Sequence, residues 1–109
     1  MSFNVIVTTE FKKHAKNIAK KHHSLKSDIG ELIDSLEKEP TQGEPLGKDC
    51  YKVRMAIASK GKGKSGGSRV ITCVKVVDQD VYMLSIYDKS DKESITDKEL
   101  NKLLRLVGL

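Results

Sequence analysis

Between Cys50 and Tyr87 the chain offers three strand-like segments in succession, with nothing long enough to form a helix between them. Strands joined by short loops pair antiparallel, because a parallel pair needs a long crossover. In residues 50–58, Tyr51, Val53, Met55 and Ile57 alternate with Lys52 and Arg54, so the two cations share the face opposite the apolar set. Residues 68–77 are rich in valine and isoleucine and read as a central strand. Asp78-Gln79-Asp80 makes a tight turn into residues 81–87, which predicts a hairpin. Within that last strand Tyr82, Leu84 and Ile86 suit the core, leaving Ser85 and Tyr87 for the open face.

Upstream, Phe3 to Thr8 is apolar and β-branched and reads as a strand. The period then changes. Phe11, Ala15, Ile18 and Ala19 fall on one helical face, and Ile29, Leu32, Ile33 and Leu36 on another that starts near Ser24 and stops at Pro40. Thr41 to Lys48 contains Gly43, Pro45 and Gly47 and reads as a connecting loop. After the strands, Thr96 with Glu99 forms a capping box, with Ile95 and Leu100 as a hydrophobic staple. The helix that follows has Leu100, Leu103, Leu104 and Val107 on its apolar face. The order β-α-α-β-β-β-α predicts an α+β fold, a small antiparallel-rich sheet with helices on one face, in a single domain over 1–109.

Charge is distributed unevenly. From Lys48 to Lys75 there are eight basic residues against Asp49 alone, so this segment carries +7 of a net +5 and the remainder −2. Such an excess suits a polyanionic partner, and equally a solvated basic loop. No apolar run is long enough to span a bilayer, and the start of the chain has no signal-peptide pattern. Cys50 and Cys73 show neither metal-ligand spacing nor C-x-x-C, and read as free thiols in a reducing cytoplasm.

If the helices cover the other face, Lys52, Arg54, Arg69 and Tyr87 stand together on the open one, with Lys60, Lys62 and Lys64 on a mobile loop at its end. Cleaving RNA without a metal or cofactor needs a 2′-hydroxyl deprotonated, a pentavalent phosphate stabilised and a 5′-oxygen protonated. Arginines clamp phosphate in bidentate fashion. A lysine among other cations has a lowered pKa and can serve as base or acid. Tyrosine offers a hydroxyl for proton transfer or a ring for stacking a base. The same residues are also what the outward face of an ordinary half-exposed sheet would carry.

The run Tyr51-Lys52-Val53-Arg54, the glycine-lysine loop ending in Gly66-Gly67-Ser68-Arg69, and the strand Tyr82-Met83-Leu84-Ser85-Ile86-Tyr87-Asp88-Lys89 together resemble the RelE-like toxins of the HigB branch. The Ile95 to Leu100 helix start fits them too. The resemblance implies a type II toxin that cleaves mRNA, typically on the ribosome and its RNA, and is neutralised by a cognate antitoxin. It places a catalytic face on Lys52, Arg54 and Arg69, with Tyr87 and Lys89 as candidates from the last strand. Better-studied members carry a functional tyrosine near the C-terminus, whereas no tyrosine follows Glu99 here.

Other signals are weaker. Ala58 to Ser65 matches a relaxed phosphate-loop pattern, but two glycines and a strand follow where a helix is required. His14, His22 and His23 lie on or after the first helix, away from the basic strands, and read as solvent-exposed residues. The lysines from Lys12 to Lys21 read as a solvated helix face. Competing functions are a ParE-like toxin of DNA gyrase, which has no need of a phosphate clamp, and a non-catalytic RNA-binding module.

Overall fold

The computed structural model describes residues 2–109. Strand β1 (Asn4–Val7) leads through Thr8 into helix α1 (Thr9–Ala19), followed by α2 (Leu25–Lys38), β2 (Glu44–Gly47), β3 (Cys50–Met55), β4 (Ser68–Lys75), β5 (Asp80–Asp88) and α3 (Asp97–Leu106). The sheet has the order β1-β5-β4-β3-β2. Four strands form an antiparallel run, and β1 pairs parallel to β5 after the α1–α2 crossover. The α+β class and the expected strands and helices are all present.

Local chemistry explains the helix ends. The Phe11 amide donates to the Thr8 hydroxyl oxygen at 3.2 Å, and that hydroxyl donates to the Met83 carbonyl at 2.8 Å, so one residue caps α1 and pins it to β5. At α3 both halves of the capping box form, each at 3.1 Å. Ser24 does not cap α2. Its hydroxyl donates instead to Asp28 at 2.8 Å and accepts from the Ser59 amide at 2.9 Å.

Three expectations need correction. The stretch read as a loop contains strand β2, hidden because Pro45 and its flanking glycines suppress a strand pattern that an edge position tolerates. Its turn into β3 uses Lys48 (φ 56°) and Asp49 (φ 63°), two left-handed residues in place of the usual Asn-Gly.

The helices do not share one face. The α1 and α2 side packs Phe11, Leu25, Leu32 and Leu36 on Val53, Met55, Val70, Met83 and Ile86. The opposite side packs α3, through Leu100, Leu103 and Leu104, on Cys50, Ile71, Cys73, Leu84 and Tyr87. The central strands are therefore apolar on both faces because both faces are covered.

Finally, β5 does not alternate throughout. Ile71 pairs with Ser85 while Thr72 pairs with Met83, so Leu84 is an extra residue in a bulge. The bulge sends Tyr82 and Leu84 towards α3 and returns Ile86 to the α1–α2 side.

No helix among the described residues is long and apolar enough to cross a membrane.

Candidate functional site

Beyond the end of α3, the sheet face it covers continues as a cationic row. Register places Arg54 opposite Arg69, and Arg69 opposite Tyr87, so the three side chains lie abreast across β3, β4 and β5. Like charges directly opposite on neighbouring strands destabilise a sheet. Neither arginine has a carboxylate partner among the described residues, and Arg54 is exposed. An anion between them would relieve the repulsion.

Arg54 also borders a cavity of about 510 Å³ that it shares with Lys52, Lys64, Gln42 and Glu44. Lys52, two residues away on the same face, is half-buried, and its ammonium group lies 3.0 Å from the Glu44 carboxylate of β2. Lys64 approaches from the loop between β3 and β4.

That loop is tightly built. Gly67 is obligatory at its end, since a Cβ there would lie 2.4 Å from the Met55 carbonyl oxygen. Arg69 does not point outward as expected. It is only 4% exposed and donates to the carbonyls of Lys64 (3.0 Å), Ser68 (3.0 Å) and Ser65 (3.4 Å). With three of its five N–H groups so committed, Arg69 organises the loop that carries Lys64.

Lys60 is likewise not a loop cation awaiting RNA. It is half-buried and bonded at 2.8 Å to Asp88. Lys62 and Lys89 are exposed and line none of the cavities around Arg54.

Tyr87 is buried, and its hydroxyl has no hydrogen-bond partner. An unpaired hydroxyl of this kind is costly by about 1–3 kcal/mol unless a ligand or water completes it. Burial pushes its pKa up, against the pull of the Arg69 charge, so the phenol keeps its proton and acts as a donor. One ring face is taken by the Lys92 ammonium, 5.4 Å from the centroid.

Several residues that matter escaped the sequence reading. Asp88 lies on the α1–α2 side, where it holds Lys60, the Ser90 amide (3.0 Å) and hydroxyl (2.7 Å), and His22 at 3.3 Å. Burial pushes its carboxyl up, but those donors outweigh it and hold it well below the usual carboxylate range. An acid at a core position of a strand was a usable signal for such a partner set. His14 and His22 were expected in solvent, yet both are half-buried and engaged, His14 with the Ser85 hydroxyl at 2.7 Å. Only His23 is simply exposed.

Comparison with known proteins agrees with this architecture. The chain resembles the toxin of the RelBE2 toxin–antitoxin complex of Mycobacterium tuberculosis, at 17% identity and a TM-score of 0.63, over 84% of this chain and 95% of that one. It resembles a doubly substituted E. coli RelE toxin in the free state, at 14% identity and a TM-score of 0.63, over 98% and 99% of the two chains. A chain of the intact E. coli RelBE toxin–antitoxin complex matches at 18% identity and a TM-score of 0.50, over 80% and 96%. These likenesses establish the fold. The family model for the RelE toxin of the RelE/RelB toxin–antitoxin system matches residues 4–108, and the chain belongs to that family.

Proposed function

We propose that this chain, acting as one domain, is a ribosome-associated mRNA endoribonuclease that arrests translation and is restrained by a cognate antitoxin. The observation that carries the proposal is the Arg54–Arg69 pair, two cations in direct register without a carboxylate, beside a cavity lined by Lys52 and Lys64. Charge repulsion of this kind suits a site meant to receive phosphate. The family match supports a toxin, and complexes of related toxins with antitoxins support such a partner. The K-V-R strand and G-G-S-R loop favour the HigB branch within it.

In this reading Arg54 clamps the scissile phosphate from solvent, while Arg69 fixes the loop that presents Lys64 and adds its charge from below. Lys52 and Tyr87 are the proton-transfer groups. The 2′-hydroxyl gives its proton to the Lys52–Glu44 pair as its oxygen attacks phosphorus, the bond from phosphorus to the 5′-oxygen breaks, the departing oxygen takes a proton from Tyr87, and the arginines hold the charge of the pentavalent state. Tyr87, protonated and lacking a partner, suits donation rather than abstraction. Lys62 and Lys89 contribute long-range attraction to RNA.

Arg54→Ala is the clean test, because Arg54 is exposed and Arg69 supports the loop. Primer extension on mRNA from cells expressing the chain is expected to show new 5′ ends within translated codons, and the variant to lose them while keeping its circular dichroism. Intact transcripts from the wild type, with growth arrest, would overturn the nuclease reading in favour of a gyrase-type toxin.

A further inference from the structure

Cys50 and Cys73 are register partners on β3 and β4, with both side chains on the α3 side of the sheet. The Val74 amide donates to the Asp49 carbonyl at 2.9 Å. That bond flanks the pair, which makes it a non-hydrogen-bonded pair, with Cα atoms about 4.5 Å apart and side chains at their closest. A disulfide accepts Cα separations of about 4.4–6.8 Å. Both thiols are free and buried, at 1% and 0% exposure, and both approach the Lys48 carbonyl, at 3.4 and 3.9 Å.

We propose that Cys50 and Cys73 form a reversible oxidation site, closing a cross-strand disulfide between β3 and β4 when a hydroperoxide reaches them. The sulfur of one thiolate attacks a peroxide oxygen, giving a sulfenic acid and, for hydrogen peroxide, one water. The second sulfur then displaces the hydroxyl as a second water. Two electrons pass from the sulfurs to the O–O bond, and two thiols plus one peroxide give one disulfide and two waters. Two equivalents of a small thiol reverse the step. Cys73 is the better first nucleophile: the neighbouring Cys50 thiol and the Lys75 charge hold its pKa down, whereas the Cys73 sulfur beside it and burial push Cys50 up.

Two features give the bond consequences. It would tie off the base of the hairpin that carries Lys52, Arg54, Lys60, Lys62, Lys64 and Arg69. Leu100, Leu103 and Leu104 of α3 pack in the same cluster as the thiols, so oxidation must await opening of that helix. The proposal stands apart from the nuclease reading and survives its failure.

The test treats the full chain with hydrogen peroxide, quenches it in denaturant with N-ethylmaleimide, and measures mass and peptides. The expected product is monomeric, lighter by about 2 Da, free of maleimide, cross-linked between Cys50 and Cys73, and restored by dithiothreitol. Its thermal midpoint should rise by on the order of 10 °C. Cys50→Ser and Cys73→Ser must each lose the cross-link, and Leu104→Ala, which loosens α3, should react several-fold faster. Stepwise gain of oxygens on single cysteines, or dimers in place of the internal bridge, would overturn the proposal. So would wild-type thiols that stay reduced at equilibrium in excess oxidised glutathione, a measurement that does not depend on the Leu104 variant folding.

Discussion

At the end of the sheet where β4 begins and β5 finishes, neighbouring residues on opposite faces treat charge in opposite ways. On the α1–α2 face, Asp88 is buried but satisfied by Lys60, His22 and Ser90. Nearby, Asp28 accepts from the Ala58 amide at 3.1 Å, so the turn that opens the glycine-lysine loop is held at two points. On the α3 face, one residue along each strand, Arg54, Arg69 and Tyr87 lie abreast with no acid between them. A network complete within the chain serves structure. One left incomplete has room for a partner, which the proposed function takes to be an RNA phosphate.

The sharpest way to break this comparison is to remove a cation from each side. Arg54→Ala should lower cleavage by about 100-fold or more while leaving stability within about 0.5 kcal/mol, read by primer extension and thermal melts. Lys60→Ala should do the reverse, destabilising the fold because the buried Asp88 loses its ammonium partner and keeps only His22 and the Ser90 donors. Equal stability losses from the two would show that the faces do not differ as described.

The hydrophobic layers should differ as well. Met83→Ala, in the fully buried α1–α2 layer, is expected to destabilise by about 3 kcal/mol. Leu103→Ala, at 8% exposure on the buried side of α3, should fall nearer the lower end, about 2 kcal/mol. Urea titrations that ranked them the other way would make α3 the tighter layer.

Asp88 predicts a pH dependence. Its carboxyl pKa is lower in the folded state, so it adds stability that is fully present above the unfolded carboxylate range and fades as pH falls towards the folded value. The stability gap between wild type and Asp88→Asn should therefore be level above about pH 5 and shrink in more acid solution. A gap that widens on acidification would mean that the donors around Asp88 do not favour its charged form.

The smallest effect expected is at the α3 cap. Thr96→Ala should destabilise by about 1 kcal/mol and speed hydrogen exchange in the first turn of α3, with no change in the α1–α2 layer.

Much of this was legible in advance. Alternation placed Lys52 and Arg54 together, since Val53 and Met55 on the same strand had to be buried. The capping box at Thr96 needs only residues three apart, and it formed as read. What failed depended on loop conformation or on a distant segment. Arg69 was expected outward as a charged residue, yet the fold of its own loop turns the nearby carbonyls of Lys64, Ser65 and Ser68 onto it and satisfies it while buried. Tyr87 does share the face of Arg54 and Arg69, as expected, but not in the open: α3 packs in the same cluster as its ring and buries it. Lys60 was read as free because Asp88 lies far along the chain from it.

The sequence by itself determined the α+β class, the helix ends, the antiparallel β3–β4–β5 run and the segment that holds the positive charge. Period, capping and turn chemistry act over a few residues and are written in the local order of side chains. Tertiary structure alone decided that α3 crosses to the other face, that a bulge at Leu84 turns Ile86 back to the first core, and which cations stay unpaired. Those outcomes depend on which surfaces meet, and burial energy is shared between segments that no short-range pattern joins.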